Sequence, residues 1–268
     1  MNKFDVKQKI DNLIYKAYNL FSQASFISNT GVRKLISENI QFKDYHKGGR
    51  CFILGTGPSL SEMAIEDVDS LKSEVMFGVN SFYKSKLSNV LRPKYYALVD
   101  DLYWKDWSGT FAEVSNVFSS DPPVFITDPR AKQIMDQIAN AKSPIYIFSK
   151  KYPVDKMSCE ITGNIYAPIN VVGVCILVAM YMGFKEIYLL GCDYNAFCTA
   201  GRGHCYDDEE DLKDFSYSLA FFLKYYWITT EFHYLIAKLA KEKGIRILNL
   251  TPSSLLDAYP RGLITDVL

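Results

Sequence analysis

Residues Cys51-Phe52-Ile53-Leu54 run directly into Gly55-Thr56-Gly57-Pro58-Ser59, and a helix-like pattern follows from Leu60. An apolar run closed by two glycines reads as a parallel strand, buried on both faces and ending in a tight turn. Such a turn aims backbone N–H groups, the Ser59 hydroxyl and a helix start at one point. That arrangement suits an anion, most often a phosphate. The expectation is a nucleotide site at the first strand-to-helix turn of an α/β sheet.

The rest of the chain repeats the strand-then-helix pattern. Strands are expected at 50–54, 74–79, 95–99, 124–127, 144–148, 186–190 and 245–249. Helices are expected within 60–72 and 101–107, at 129–141, at 170–182 with Gly183 as C-cap, and from about 211 to 243, with a short closing helix from Thr251. Alternation of this kind predicts a Rossmann-like α/β fold, a mostly parallel sheet with helices on both faces. Residues 1–48 read as a helical extension and 49–268 as the catalytic domain. Ligands in such sheets sit beyond the carboxyl ends of the strands, where strand order reverses. The polar residues at those ends are Gly55 to Ser59, Asn80, Asp100, Asp101, Asp193 and Tyr194.

Several functions are excluded early. With 30 basic and 30 acidic residues, no net field draws the chain to nucleic acid. A dinucleotide fingerprint needs a third glycine where Leu60 stands and an acidic residue where Asn80 stands; no Gly-Lys-Ser/Thr P-loop is present either. The turn suits a mononucleotide better. Cys51, Cys175 and Cys192 lie in apolar runs and read as buried small hydrophobes. Cys192, Cys198, His204 and Cys205 invite a zinc reading, which the absence of any Cys-x-x-Cys argues against. Free thiols point to a reducing cytosol. No signal peptide or spanning apolar run is evident. Residues 4–27 place apolar side chains at helical spacing with lysines interleaved. This helix either packs on the domain or a second subunit, or lies peripherally on the inner face of a membrane.

The strings Gly55-Thr56-Gly57-Pro58-Ser59-Leu60, Gly78-Val79-Asn80, Gly191-Cys192-Asp193 and Pro252-Ser253-Ser254-Leu255-Leu256 resemble the Campylobacter-type bacterial sialyltransferases over about 50–257. They are also similar to the wider family of archaeal hydroxymethylpterin pyrophosphokinases and surface-polysaccharide proteins. The resemblance implies a CMP-sugar donor, a glycan or lipid-linked glycan acceptor and catalysis without an obligatory metal. It implies nucleotide contacts from Gly55, Thr56, Gly57, Pro58, Ser59, Asn80, Asp100, Asn170, Gly173 and Asp193. Tyr194 falls near the family's phosphate-binding tyrosines, and His204 in the loop where the family carries its general base. Asp100 stands where the family has asparagine, and Gly173 is displaced from the family's glycine.

Imidazole titrates near neutrality, so His204 suits removal of a proton from an acceptor hydroxyl. His46 precedes the domain, and His233 sits among apolar helix residues and reads as packed. The Asp100–Asp101 pair suits Mg²⁺ or Mn²⁺ poorly, because Asp-x-Asp is the usual spacing; Asp100 reads as a sugar contact and Asp101 as a helix cap. The run 207–211 reads as a solvated helix start, and Arg202, Arg246 and Arg261 as surface charges that could also meet a phosphate. Three functions stand: an inverting glycosyltransferase, a Mg²⁺-dependent pyrophosphokinase, and a non-catalytic nucleotide-sugar-binding subunit.

Overall fold

A computed structural model describes residues 3–198, 203–207 and 218–268. Its strands are β1 (Arg50–Leu54), β2 (Met76–Val79), β3 (Tyr95–Leu98), β4 (Val124–Thr127), β5 (Ile145–Tyr146), β6 (Glu186–Leu190) and β7 (Arg246–Asn249). They form one seven-stranded sheet of order β5-β4-β3-β2-β1-β6-β7, and every pairing is parallel. The helices are α1 (Lys3–Ser28), α2 (Thr30–Ser37), α3 (Ile65–Leu71), α4 (Thr110–Val117), α5 (Lys132–Met135), α6 (Val171–Tyr181) and α7 (Leu219–Glu242).

Period-two alternation divides the sheet's side chains between two cores. Cys51, Ile53, Phe77, Val79, Ile187 and Leu189 join the core that holds α6 and the inner side of α7. Phe52, Leu54, Met76, Tyr96, Tyr188 and Leu190 join the core of α3 and α4. Helix α6 is apolar all round because α7 covers the side that the sheet does not; Val172 to Tyr181 are all buried. It ends at Gly183, whose φ of +87° is the left-handed C-cap. The strand order reverses between β1 and β6, and this is the switch point that positions the site.

The helical expectations are met only in part. Residues 129–141 hold a 3₁₀ turn and the single turn of α5. The 60–72 stretch splits, with Met63 and Ala64 extended between a 3₁₀ turn and α3. Residues 101–107 hold one 3₁₀ turn, and its cap is Asp100, whose carboxylate accepts from Leu102 N–H at 3.3 Å. Asp101, expected as the cap, instead pairs with Lys105. The closing helix at 251–256 is absent. Asn249, Thr251 and Ser254 side chains bond the local backbone and each other: Thr251 Oγ1 accepts from Cys192 N–H at 2.9 Å, and Asn249 Nδ2 donates to the Leu256 carbonyl at 3.1 Å. Short polar side chains that satisfy the backbone this way displace a helix. The expected helix at 211–243 is seen as α7; its first residues, with Arg202 and 208–211, lie outside the described residues.

The two histidines other than His204 are packed. His46 stacks on Phe184 with ring centroids 4.5 Å apart, and its Nε2 lies 2.8 Å from Tyr95 Oη. His233 is 1% exposed. Burial lowers their pKa values to about 4 and about 3, with Lys94 adding to the effect at His46. Unfolded histidine binds a proton near 6.5, which the folded state refuses. Stability is therefore full above pH 6.5 and is lost as pH falls below it. At pH 5 the His233 contribution alone is about 2 kcal/mol. Urea midpoints are expected to drop from pH 7 to pH 5, with a shallower drop for His233→Gln.

Candidate functional site

At the carboxyl ends of the strands lies a cavity of about 540 Å³, within the range of small-molecule sites. Its wall takes Gly55, Thr56 and Gly57 from the turn after β1, Asn80 after β2, Asp100 and Asp101 after β3, and Arg130 after β4. Asn170 at the start of α6, Asp193 and Tyr194 after β6, His204, and Tyr225, Tyr226 and His233 of α7 complete it. Pro58, Ser59 and Gly173 are not in the wall.

The glycine turn is built differently from the expectation. Gly55 N–H donates to the Leu190 carbonyl and Gly57 N–H to the Gly191 carbonyl, each at 2.8 Å, so β1 is tied to β6. Ser59 gives its N–H to Asp193 Oδ1 at 3.3 Å and its hydroxyl to Oδ2 at 2.8 Å. The Asp193 carboxylate thus occupies the place where the turn was expected to hold an external anion. A Cβ on Gly57 would overlap that carboxylate, which is why glycine stands there. Burial raises the Asp193 pKa, against the pull of the Ser59 hydrogen bonds. Thr56 alone in the turn faces the cavity with an N–H and hydroxyl that bond no described residue; its carbonyl accepts from Cys205 N–H at 2.8 Å. That bond anchors the loop carrying His204, whose ring stacks on Tyr206 at 5.0 Å. Gly173 serves packing: a Cβ there would lie 2.8 Å from Pro168 Cβ.

Two signatures of a binding site converge on this cavity. Buried polar atoms are normally hydrogen-bonded. Among the described residues six buried side-chain polar atoms have no partner; three of them, Asn80 Oδ1, Trp104 Nε1 and His233 Nε2, belong to residues that line the cavity, and Ser115 Oγ, Thr127 Oγ1 and Tyr181 Oη lie elsewhere. His233 Nδ1 lies 2.9 Å from Tyr259 Oη; with Tyr259 donating, the proton sits on Nε2 and makes it a donor. The second signature is strain. Asn80, Ile169 and Tyr194 line the cavity with φ of +46°, +51° and +59°. A β-branched residue such as Ile169 is a true outlier there, and strain of this kind gathers at functional sites.

Charge in the wall is mixed. Burial raises the Asp100 pKa, while the Lys105 hydrogen bond lowers that of Asp101. Asn170 caps α6, accepting from Val172 N–H at 3.0 Å and Gly173 N–H at 3.2 Å, so the positive end of the α6 dipole opens on the cavity. Arg130 lies 4.5 Å above the Trp104 ring and pairs with Asp128 at 2.7 Å. Sequence reasoning weighed Arg202, Arg246 and Arg261 and passed over Arg130, although the strand-end rule points to Asp128-Pro129-Arg130. Arg246 pairs with Glu186 at 3.5 Å and Arg261 donates to the Thr251 and Ser254 carbonyls, both away from the cavity. Tyr225 and Tyr226 carried no local signal, since an aromatic run on a helix reads equally as core. Among the described residues no group of three or more His, Cys, Asp or Glu is placed to hold a metal. Cys192 and Cys205 are buried and Cys198 exposed.

A family model described as 6-hydroxymethylpterin diphosphokinase MptE-like matches residues 20–197. The chain belongs to this MptE-like family. The match takes in the β1 turn, Asn80, Asp100, Asn170 and the β6 end of the MptE-like chain, and stops before His204 and α7. No curated protein matches the sequence. Among solved structures, the MptE-like chain is similar to the sialyltransferase CstII from Campylobacter jejuni in complex with cytidine-5'-monophosphate, at 18% identity and a TM-score of 0.49, over 81% of this chain and 86% of that one. It is similar to the MAf glycosyltransferase from Magnetospirillum magneticum AMB-1 at 12% identity and a TM-score of 0.48, over 88% of this chain and 39% of that one. CstII in complex with trisaccharide acceptor and CMP gives 17% identity and a TM-score of 0.47, over 80% and 86%.

Proposed function

We propose that this MptE-like chain is an inverting glycosyltransferase that moves a sialic-acid-like sugar from a CMP donor to a hydroxyl of a surface glycan. The observation that carries the reading is the cavity at the β1/β6 switch point, in which unpaired buried polar atoms and aromatic walls meet His204. Asn80 Oδ1 accepts from, and Trp104 Nε1 and His233 Nε2 donate to, a polar ligand. Tyr194, Tyr225 and Tyr226 offer faces to a base or sugar ring. Thr56 N–H, the α6 N-terminus and Arg130 meet the phosphate. The acceptor oxygen forms its bond to the anomeric carbon as the bond from that carbon to the phosphate oxygen breaks. The hydroxyl proton passes to His204, and the nucleotide leaves as CMP.

The family description favours a second reading, Mg²⁺-dependent diphosphate transfer from ATP to a small alcohol. That chemistry needs carboxylates free to hold the metal. Asp193, which accepts from Ser59, and Asp100, which accepts from Leu102, both line the cavity and keep lone pairs for a metal.

Thermal unfolding with CMP, UDP, GDP and Mg·ATP separates the readings. CMP at one hundred times its Kd is expected to stabilise by about 2.7 kcal/mol, a shift of roughly 5–10 °C for a chain of this size. A shift with Mg·ATP alone, with ATP consumed, would replace the first reading by the second.

A further inference from the structure

Helix α1 is docked inside out. Its polar side chains face the protein: Asn19 donates to the Tyr152 carbonyl at 2.9 Å and accepts from Tyr152 N–H at 2.7 Å. Ser22 donates to the Lys150 carbonyl at 2.9 Å and accepts from Asn164 Nδ2 at 2.9 Å. Two aromatic side chains join them, Tyr15 stacked on Tyr152 at 3.6 Å and the buried Phe26 on Phe148 at 5.3 Å, while most other apolar side chains face outward. Ile10, Leu13, Ile14, Leu20, Phe21 and Ile27 are all exposed, Leu13, Leu20 and Phe21 by 70%, 74% and 76%. At about 100° per residue they cover roughly half the circumference. Lys7, paired with Asp11, stands on one edge of this arc, and Lys9 and Lys16, the latter 4.0 Å from Asp155, on the other. On the first turns of α7, Leu219, Leu223 and Trp227 follow one another at four-residue spacing and are exposed. Trp227 shares a groove of about 440 Å³ with Lys7 and Gln8.

A large exposed apolar patch marks an interaction surface. We infer that this one seats the protein on an anionic lipid surface, α1 lying in the headgroup plane with its apolar arc in the acyl boundary. Charge complementarity selects the occupant. A second copy's pairing seam would need only a narrow stripe. An anionic bilayer offers negative charge along both edges, and a wide arc between lysines is the form that an interfacial helix takes. No helix among the described residues is long and apolar enough to cross a membrane, so the contact is peripheral. The inference is independent of the transferase reading.

Flotation of the full chain with vesicles tests it without any donor or activity. The protein is expected to float with phosphatidylglycerol-containing vesicles, to release in high salt, and to stay behind with pure phosphatidylcholine. Lys9→Gln and Lys16→Gln are each expected to lower partitioning about fivefold. The double variant Leu20→Asp, Phe21→Asp is expected to abolish it with an unchanged melting temperature, because those side chains touch solvent. Failure to float overturns the inference, as does flotation indifferent to the aspartates. A stable dimer in sedimentation that the aspartate variant dissociates also overturns it, in favour of a second copy.

Discussion

His204→Ala is expected to lower glycosyl transfer by roughly 10²–10⁴-fold, the contribution of a positioned general base. The melting temperature and the CMP-induced shift are expected to stay as in the parent protein. The fold should survive because the loop is held by its neighbour: Cys205 is buried and its N–H donates to the Thr56 carbonyl at 2.8 Å. His204 itself contributes a stacked ring on Tyr206. A second variant, His204→Gln, keeps a polar side chain of similar reach without a basic ring nitrogen, and is expected to be as slow as the alanine variant. Turnover is measured at saturating donor and acceptor. Undiminished turnover in both variants would remove His204 from the mechanism and leave the proton to another group of the cavity.

Gly55→Ala is expected to cost at least about 3 kcal/mol, the upper end of the overpacking range. A Cβ at this position would overlap the Gly191 carbonyl oxygen and lie 2.9 Å from its carbon and 3.2 Å from Cys192 Sγ. The obstruction is backbone, and both strands are locked by the parallel β1–β6 register from Arg50↔Glu186 to Leu54↔Leu190. Neither side can withdraw without parting the sheet at its switch point. Gly109→Ala is the contrast. Its Cβ would meet only Glu113 Oε1 at 3.9 Å, at a φ of −63° that alanine adopts freely. Removing glycine's unfolded-state freedom there is expected to stabilise by about 0.4–1 kcal/mol. Urea unfolding of the two variants measures the difference. A Gly55→Ala protein as stable as its parent would mean that the β1 and β6 turns do not meet as described.

The strands were legible because burial on both faces leaves uninterrupted apolar runs such as Phe52-Ile53-Leu54 and Tyr188-Leu189-Leu190. The all-parallel sheet followed from their alternation with helices. Short helices were less legible. Propensity over seven or eight residues is worth little against local capping, so Asp100 took the cap assigned to Asp101, and Asn249, Thr251 and Ser254 built a bonded loop where a helix was expected. The strand-end rule pointed to Asn80, Asp100, Asp193 and Tyr194, and these residues do meet in one cavity. It could not show that Ser59 is turned away, bound to Asp193, because that contact spans 134 positions of sequence.

What the chain's order of residues determined by itself is the strand-and-turn scaffold, since period and glycine placement are local properties. Only tertiary packing decided which side chains face the cavity. It brought Arg130, Tyr225, Tyr226 and His233 to the wall and left Asn80, Trp104 and His233 with unpaired polar atoms. It also turned the polar side of α1 inward. Hydrogen bonds to Tyr152 and Lys150, more than a hundred residues away, and the stacking of Tyr15 on Tyr152 and Phe26 on Phe148 hold that side in place.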